Sequence, residues 1–267
     1  MNIRLNLFPG GKSKALTMSY DDGNVADRRL VGIFNQFGIK GTFHLNSGKF
    51  GNENYIEATE VASLFYGHEV SVHTVTHPHL EYVPSESIAE EILEDRKNLE
   101  NLVGYPVTGM SYPFGTYNNT VLQILPFLGI EYSRTVKSHG QFSIPEDFMQ
   151  WHPTCHHKDN IQELGQQFLE RDPRGTLSLL YVWGHSYEFD RNNNWNIIED
   201  FCKLMSGHDT IWYATNIEIC HYLKAVKSLT FSADRTMVHN PSALPVWISV
   251  EGKAIEICPG EIKKLTF

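Results

Sequence analysis

The chain has 267 residues, 41% hydrophobic and 20% charged, an ordinary globular balance with room for one large domain or a domain plus an appendage. Its 22 basic against 31 acidic residues give a formal charge of -9, which argues against a nucleic-acid footprint and offers no attraction to an anionic membrane. No stretch approaches the roughly 20 apolar residues of a membrane-spanning helix, MNIRLNLFPGGKSK lacks the apolar run of a signal peptide, and Cys155, Cys202, Cys220 and Cys258 form no CxxC pair; the expectation is a soluble, cytoplasmic protein with buried free thiols.

Strand-like and helix-like segments alternate from there. Residues 15–20, ALTMSY, read as a strand ending at Asp21 and Asp22. Residues 25–38 read as an amphipathic helix, with Leu30, Ile33, Phe34 and Phe37 at helical spacing and Gly38 as its stop. A strand at 40–48, a helix at 58–67 and a strand at 68–74 follow. The clearest helix spans 84–104, opening at Pro84 and Ser85 with a capping-box pattern and placing Ile88, Ile92, Leu99 and Leu102 on one side. Next come a strand at 107–115 ending in a Pro-Phe-Gly turn, a helix at 119–129 and a strand at 130–136. A helix at 159–171, a strand at 177–185, a helix at 194–206, a strand at 210–215 and a helix at 216–228 complete the series. Such repeats imply a parallel sheet, and about seven of them fit a distorted (β/α) barrel better than an open sheet. Chemistry in such barrels gathers at the C-terminal strand ends. Here those ends carry Asp21/Asp22, His44, His73, Phe114/Gly115 and His185.

After residue 228 the helical period stops. VWISV and AIEI flank Glu251-Gly252-Lys253, a hairpin signal. Residues 229–267 are therefore expected to form a small β appendage packed on the barrel domain of 1–228, with the N-terminal IRLNLF as a candidate partner.

HTVTH supplies His73 and His77, four apart, a spacing that lets two imidazoles grip one ion if the chain turns helically there. A carboxylate from another strand end would complete a three-ligand centre with open positions, the layout of a catalytic metal. Of Asp21 and Asp22, one would then ligate and the other stay free to take a proton from water. The plainer alternative is an Asp-Asp-Gly turn followed by a helix cap. Tyr20, Tyr112, Phe114, Trp151, Trp183, Tyr187 and Trp195 are the aromatics expected near the mouth, two or three of them in a position to stack on a ligand. GHSYEFDRNNNW (184–195) reads as a polar specificity loop.

MSYDDG, HTVTH, SYPFGTYNN and YVWGH resemble the ordered motifs of the polysaccharide deacetylase family, the NodB-homology carbohydrate esterases, over roughly residues 15–220. The resemblance implies a distorted (β/α) barrel, one divalent metal and removal of acetyl groups from N- or O-acetylated sugars. It implies Asp21 as general base, Asp22, His73 and His77 as metal ligands, the Phe114 amide as oxyanion donor and His185 as the acid that protonates the leaving group. Two features depart from the pattern. Ser111 stands where the family's third motif carries an arginine, with Arg134, at another strand end, as a candidate replacement. The family's Asp-plus-Trp fourth motif is not recognisable; DFMQWHPTCHH (147–157) is a candidate stand-in, through Asp147 or Trp151, with His156 and His157 also at hand.

Three functions compete. The first is a deacetylase using zinc, with cobalt or nickel as alternatives, and binding its sugar through Tyr112, Arg134, Trp151 and Trp183. The second cleaves a C–N bond in a small amide, imide or ureide. The third is a catalytically weak sugar-binding protein, which the Ser111 departure favours and the intact Asp-Asp and His/His set opposes. The partner is accordingly an acetylated carbohydrate or a small amide, with no nucleic acid and no membrane.

Overall fold

The computed structural model describes residues 2–173 and 175–265. A short strand β1 (Ile3–Arg4) leads into β2 (Lys14–Asp22), α1 (Asp27–Phe37), β3 (Gly41–Leu45), α2 (Val61–Leu64), β4 (Glu69–Val72) and α3 (Ser85–Val103). There follow β5 (Gly109–Ser111), α4 (Asn119–Phe127), β6 (Tyr132–Arg134), β7 (Cys155–His156), α5 (Ile161–Glu170) and β8 (Ser178–Gly184). The helical part ends with α6 (Tyr187–Arg191), α7 (Asn196–Met205), β9 (Ile211–Tyr213) and α8 (Asn216–Ser228). Five strands close the chain: β10 (Thr230–Phe231), β11 (Met237–His239), β12 (Val246–Val250), β13 (Lys253–Ile257) and β14 (Ile262–Lys264).

Strands β6-β5-β4-β3-β2-β8-β7 form one parallel sheet, with β9 paired to the first residues of β2. The sheet curls into the expected distorted barrel. Trp151 bridges in parallel to Arg134, and the chain continues directly into β7 beside β8, so residues 151–156 span the gap between β6 and β8. β2 and β8 are buried along almost their whole length, as strands covered on both faces must be.

Register decides which side chains share a level. Asp21 pairs with His44, Tyr20 with Gly184, Val72 with Met110 and Ser111 with Arg134. His185 therefore leaves the barrel beside Asp21, and His73 leaves beside Ser111 and Arg134. Six strands thus deliver polar side chains to one end.

Most elements fall where the pattern places them, and the differences have local causes. The helix expected at 58–67 is reduced to α2, because the chain turns at Phe65 to pack its ring on Phe43, centroids 4.5 Å apart. The supposed specificity loop contains α6, whose one buried residue, Phe189, is too weak a period to read. The capping box expected at Ser85 is absent: Pro84 takes the cap position and no side chain bonds there. Capping boxes form instead at Glu57/Glu60 and at Thr215/Glu218. Cys155, Cys202 and Cys220 are buried free thiols, whereas Cys258 is exposed, beyond the end of β13.

After α8, β12 and β13 make the expected hairpin and β1 joins it as a third strand, while β10, β11 and β14 make a second small sheet. Val238, Val246, Ile248 and Val250 from these strands share one apolar cluster with Ile219, Tyr222 and Leu223 of α8 and with Phe8, Leu179 and Tyr181 of the barrel.

Candidate metal centre and active site

Asp22, His73 and His77 converge at the C-terminal end of the barrel. His77 Nε2 lies 3.1 Å from His73 Nε2, and Asp22 Oδ1 lies 3.7 Å from each. Asp22 reaches this side because its φ is +81°, a left-handed turn that re-aims the last strand residue so that both aspartates face His73. The His pair does not sit on the expected helical turn. Thr74 and His77 are left-handed instead, and the loop is pinned by His77 N–H to Thr74 Oγ1 at 3.0 Å and Thr76 N–H to Glu91 at 2.8 Å.

The surrounding contacts orient these three side chains. His73 Nδ1 donates to the Ser111 carbonyl at 2.9 Å, which leaves Nε2 as the lone-pair nitrogen facing the centre. Asp95 of α3 accepts the backbone N–H groups of His73 at 3.1 Å and Ser47 at 2.8 Å, tying the β3 and β4 exits together. Burial lowers the His73 pKa, and burial with the neighbouring His73 brings His77 down to about 4, so both rings are neutral near pH 7. Asp22 Oδ1 is buried without a hydrogen-bond partner. Two neutral imidazoles and an orphaned carboxylate oxygen at these separations fit a divalent ion.

Asp21 is 3% exposed and lies apart from that trio, its Oδ2 4.0 Å from His73 Nε2. Ser111 Oγ donates to its Oδ1 at 3.1 Å, and the Arg134 guanidinium pairs with its Oδ2. Burial alone would raise this carboxyl; Arg134, and after it the neighbouring histidines, instead hold it well below the usual range. The arginine missing at Ser111 is thus supplied by the next strand, at the residue in register with Ser111.

On the opposite side, His185 Nδ1 lies 3.5 Å from Glu188 Oε1. Glu188 Oε2 lies 3.2 Å from His156 Nε2 and 2.9 Å from His157 Nε2. The spacing of His156, His157 and Glu188 alone would suit a second ion. However, His156 Nδ1 accepts the Lys158 N–H at 3.2 Å, which puts the ring proton on Nε2, aimed at Glu188. The three are better described as a carboxylate held by hydrogen-bond donors. Burial alone would pull His185 down, but Glu188, with Asp21 and Asp22, raises its pKa above the ordinary value.

Residues 9–133 match the family model described as polysaccharide deacetylase. Over that segment, a little under half of its length, the chain resembles the polysaccharide deacetylase family. It is 21% identical over 126 residues to the polysaccharide deacetylase-like protein YxkH of Bacillus subtilis, a match covering 46% of this chain and 45% of that protein. It is 26% identical over 137 residues to chitin deacetylase 1 of Cryptococcus neoformans, covering 51% and 28%. The match therefore spans less than half the length of these curated relatives. Among solved structures, a polysaccharide deacetylase-like protein of Mycobacterium smegmatis is similar over 85% of this chain and 96% of its own, with a TM-score of 0.63 and 19% identity, a likeness of fold.

The residues expected to bind substrate need correction. Trp151 is 1% exposed and packs against Tyr132, Phe148 and Tyr181, so it offers no face to a sugar. Tyr112, also 1% exposed, stacks on Tyr117 and donates to the Met149 carbonyl at 2.7 Å. Arg134 is fully buried, its guanidinium between Asp21 and the Trp183 ring. Only Trp183 borders the mouth, its ring 5.8 Å from that of His185. Phe114 is half exposed at φ +58°, in a turn whose own hydrogen bonds come from the amides of Gly115 and Thr116. Asp147 caps the short turn before Trp151, donated to by Met149 N–H at 2.8 Å, and His44 is buried inside the barrel against Ser19. Glu188 and Asp95 were missed. For Glu188 a signal existed, a carboxylate three residues after His185; for Asp95, in mid-helix, there was none.

Proposed function

We propose that the chain is a metal-dependent deacetylase acting on an N- or O-acetylated sugar. One observation supports this reading: Asp22, His73 and His77 lie close enough together to hold one ion, and a second aspartate, paired with Arg134, faces them with its Oδ2 4.0 Å from His73 Nε2. An ion held by Asp22, His73 and His77 would supply Lewis-acid polarisation of the acyl carbonyl and make a water more acidic, and this donor set suits zinc first, with cobalt or nickel as alternatives.

The chain's own residues would do the rest. Asp21 takes the proton of the attacking water, and Arg134 and Ser111 hold its two oxygens so that it stays charged and oriented. The Phe114 N–H donates to the oxyanion that develops on the acetyl oxygen. His185 gives its proton to the departing nitrogen or oxygen, with Glu188 behind it to stabilise the protonated ring. Acetate and the free amine or alcohol are the products.

Two variants test the division of labour between the aspartates and histidines. His77→Ala should strip the ion from a folded chain, whereas Asp21→Asn should keep it and lose on the order of 10² to 10⁴ in turnover. Full metal content in the first, or metal loss in the second, would overturn the assignment. A panel of N-acetyl sugars against cyclic imides and ureides then fixes the substrate class.

A further inference from the structure

The two proposed imidazole ligands sit on a loop that is costly to hold in shape. Residues 73–77 do not form a helical turn, and Thr74, at φ +68°, and His77, at φ +62°, are both left-handed. A β-branched residue in that region is strained, and it persists only where its surroundings over-determine it. The bond inside the loop, from His77 N–H to Thr74 Oγ1 at 3.0 Å, offsets part of the strain.

The rest of the hold comes from outside the loop, mainly from α3. Glu91, Asp95 and Asn98 lie at i, i+4 and i+7, a polar stripe beside the buried Ile88, Ile92 and Leu99 of the same helix. Glu91 grips the middle of the loop with both oxygens: Oε2 accepts Thr76 N–H at 2.8 Å and Oε1 accepts the Thr76 hydroxyl at 2.6 Å. Asp95, fully buried, grips its start. Its Oδ2 accepts His73 N–H at 3.1 Å and its Oδ1 accepts Ser47 N–H at 2.8 Å. Asn98 Nδ2 donates to Ser47 Oγ at 3.1 Å. From the β3 exit, Asn46 Nδ2 donates to the carbonyls of His73 and, at 2.9 Å, Thr74. The His73 backbone is thereby fixed on both sides, its N–H by α3 and its carbonyl by the neighbouring strand end.

A carboxylate facing inward from a helix could serve only to fasten that helix to a sheet. Here all four oxygens of Glu91 and Asp95 are directed instead at the exits after β3 and β4, at the level of the proposed ligands. Neither side chain takes part in the proposed chemistry. What they control is the shape of the segment that carries two of the three ligands.

We propose that Glu91 and Asp95 are positioning residues for the metal centre: they hold residues 73–77 in a ligand-ready shape before an ion arrives, and so set how tightly the ion is held. The effect on affinity rests on the reading of Asp22, His73 and His77 as ligands; the preformed loop does not. A loop shaped in advance need not be ordered by the ion, and loss of such outer partners typically lowers metal affinity about 10- to 100-fold.

The test reads loop and ion separately, on the full chain. Amide hydrogen exchange, resolved by NMR in the metal-free protein, should find the N–H groups of His73, Thr76 and His77 protected in the wild type. In Glu91→Ala, exchange at Thr76 and His77 should speed up about tenfold or more, the scale of a lost hydrogen bond to a charged group, while the amides within β3 and β4 keep their protection. Zinc affinity, measured by competition with a chromophoric chelator, should fall about 10- to 100-fold in Glu91→Ala and in Asp95→Asn, whose amide can accept from only one of the two N–H groups. Glu91→Gln, which keeps an acceptor for Thr76 N–H, should recover part of the loss. A purely structural role would lower the melting temperature and leave the zinc affinity of the folded fraction unchanged. Should Asp95→Asn fail to fold, the half-buried Glu91 decides through its two variants. Protected loop amides in a wild type that binds no divalent ion would uphold the preformed loop and defeat the metal-dependent reading. The positioning role is overturned if residues 73–77 exchange as fast in the metal-free wild type as in Glu91→Ala, or if the folded variants bind zinc as tightly as the wild type.

Discussion

Asp21 remains charged in a nearly dry position because each of its carboxylate oxygens has a dedicated donor, Ser111 on one and Arg134 on the other. Removing only the guanidinium, in Arg134→Met, leaves that carboxylate buried and uncompensated. Loss of one partner from a buried pair costs about 3–5 kcal/mol, so the denaturation midpoint should drop sharply while the metal stays bound in the fraction that folds. A midpoint close to wild type would show that solvent reaches Asp21. The second residue-scale prediction concerns Glu188. It raises the His185 pKa, so Glu188→Gln should lower it, and the protonated ring should be lost at a lower pH than in the wild type. The high-pH limb of amide hydrolysis should therefore move toward neutrality, with much less change for an activated aryl acetate, whose leaving group needs no proton. An unmoved limb would leave Glu188 a purely structural role. Metal analysis of the same pair should find one ion per chain in both; two in the wild type and one in the variant would make the His156, His157 and Glu188 group a second metal site instead.

At the scale of elements, α8 was legible in the sequence, and the structure starts it with a capping box of Thr215 and Glu218. α6 was not, since a five-residue helix with one buried side chain has no period to read. α8 is also fastened to the start of β6 by charge: Glu131 accepts from Lys224 at 2.7 Å and His221 at 3.0 Å. Burial alone would raise the Glu131 carboxyl, but these two partners bring it down to about 2. A carboxyl depressed on folding contributes stability that is present above its ordinary pKa and lost as pH falls toward the folded value. Melting temperature followed from pH 5 to pH 2 should accordingly fall less steeply in Glu131→Gln than in the wild type. The pair is partly solvated, so the difference should be modest.

Over the whole molecule, the last strands share their apolar cluster with the barrel instead of enclosing one of their own. We take 1–228 as the barrel domain and 229–267 as an appendage that covers it. A chain cut after Ser228 would expose Phe8, Leu179, Tyr181 and Ile219 to water. It should express as an aggregating or molten protein, read by loss of a cooperative melting transition; a sharp transition near the wild-type temperature would show the appendage to be dispensable. Among the described residues, no helix is long and apolar enough to cross a membrane.

The alternation of strand and helix, the paired aspartates, HTVTH and the histidine after YVWG are local features, and the sequence by itself determined them: the barrel and the family resemblance followed from residues within reach of one another along the chain. What only the tertiary structure decided was contact between distant strands. Register set Arg134 beside Ser111, and so returned to Asp21 the guanidinium its own motif lacks. A left-handed φ at Asp22 turned two neighbours toward one centre. Burial chose among the aromatics, hiding Trp151 and Tyr112 while exposing Phe114 and Tyr82. Strands covered on both faces carry apolar side chains on both, so periodicity does not reveal which ring meets solvent.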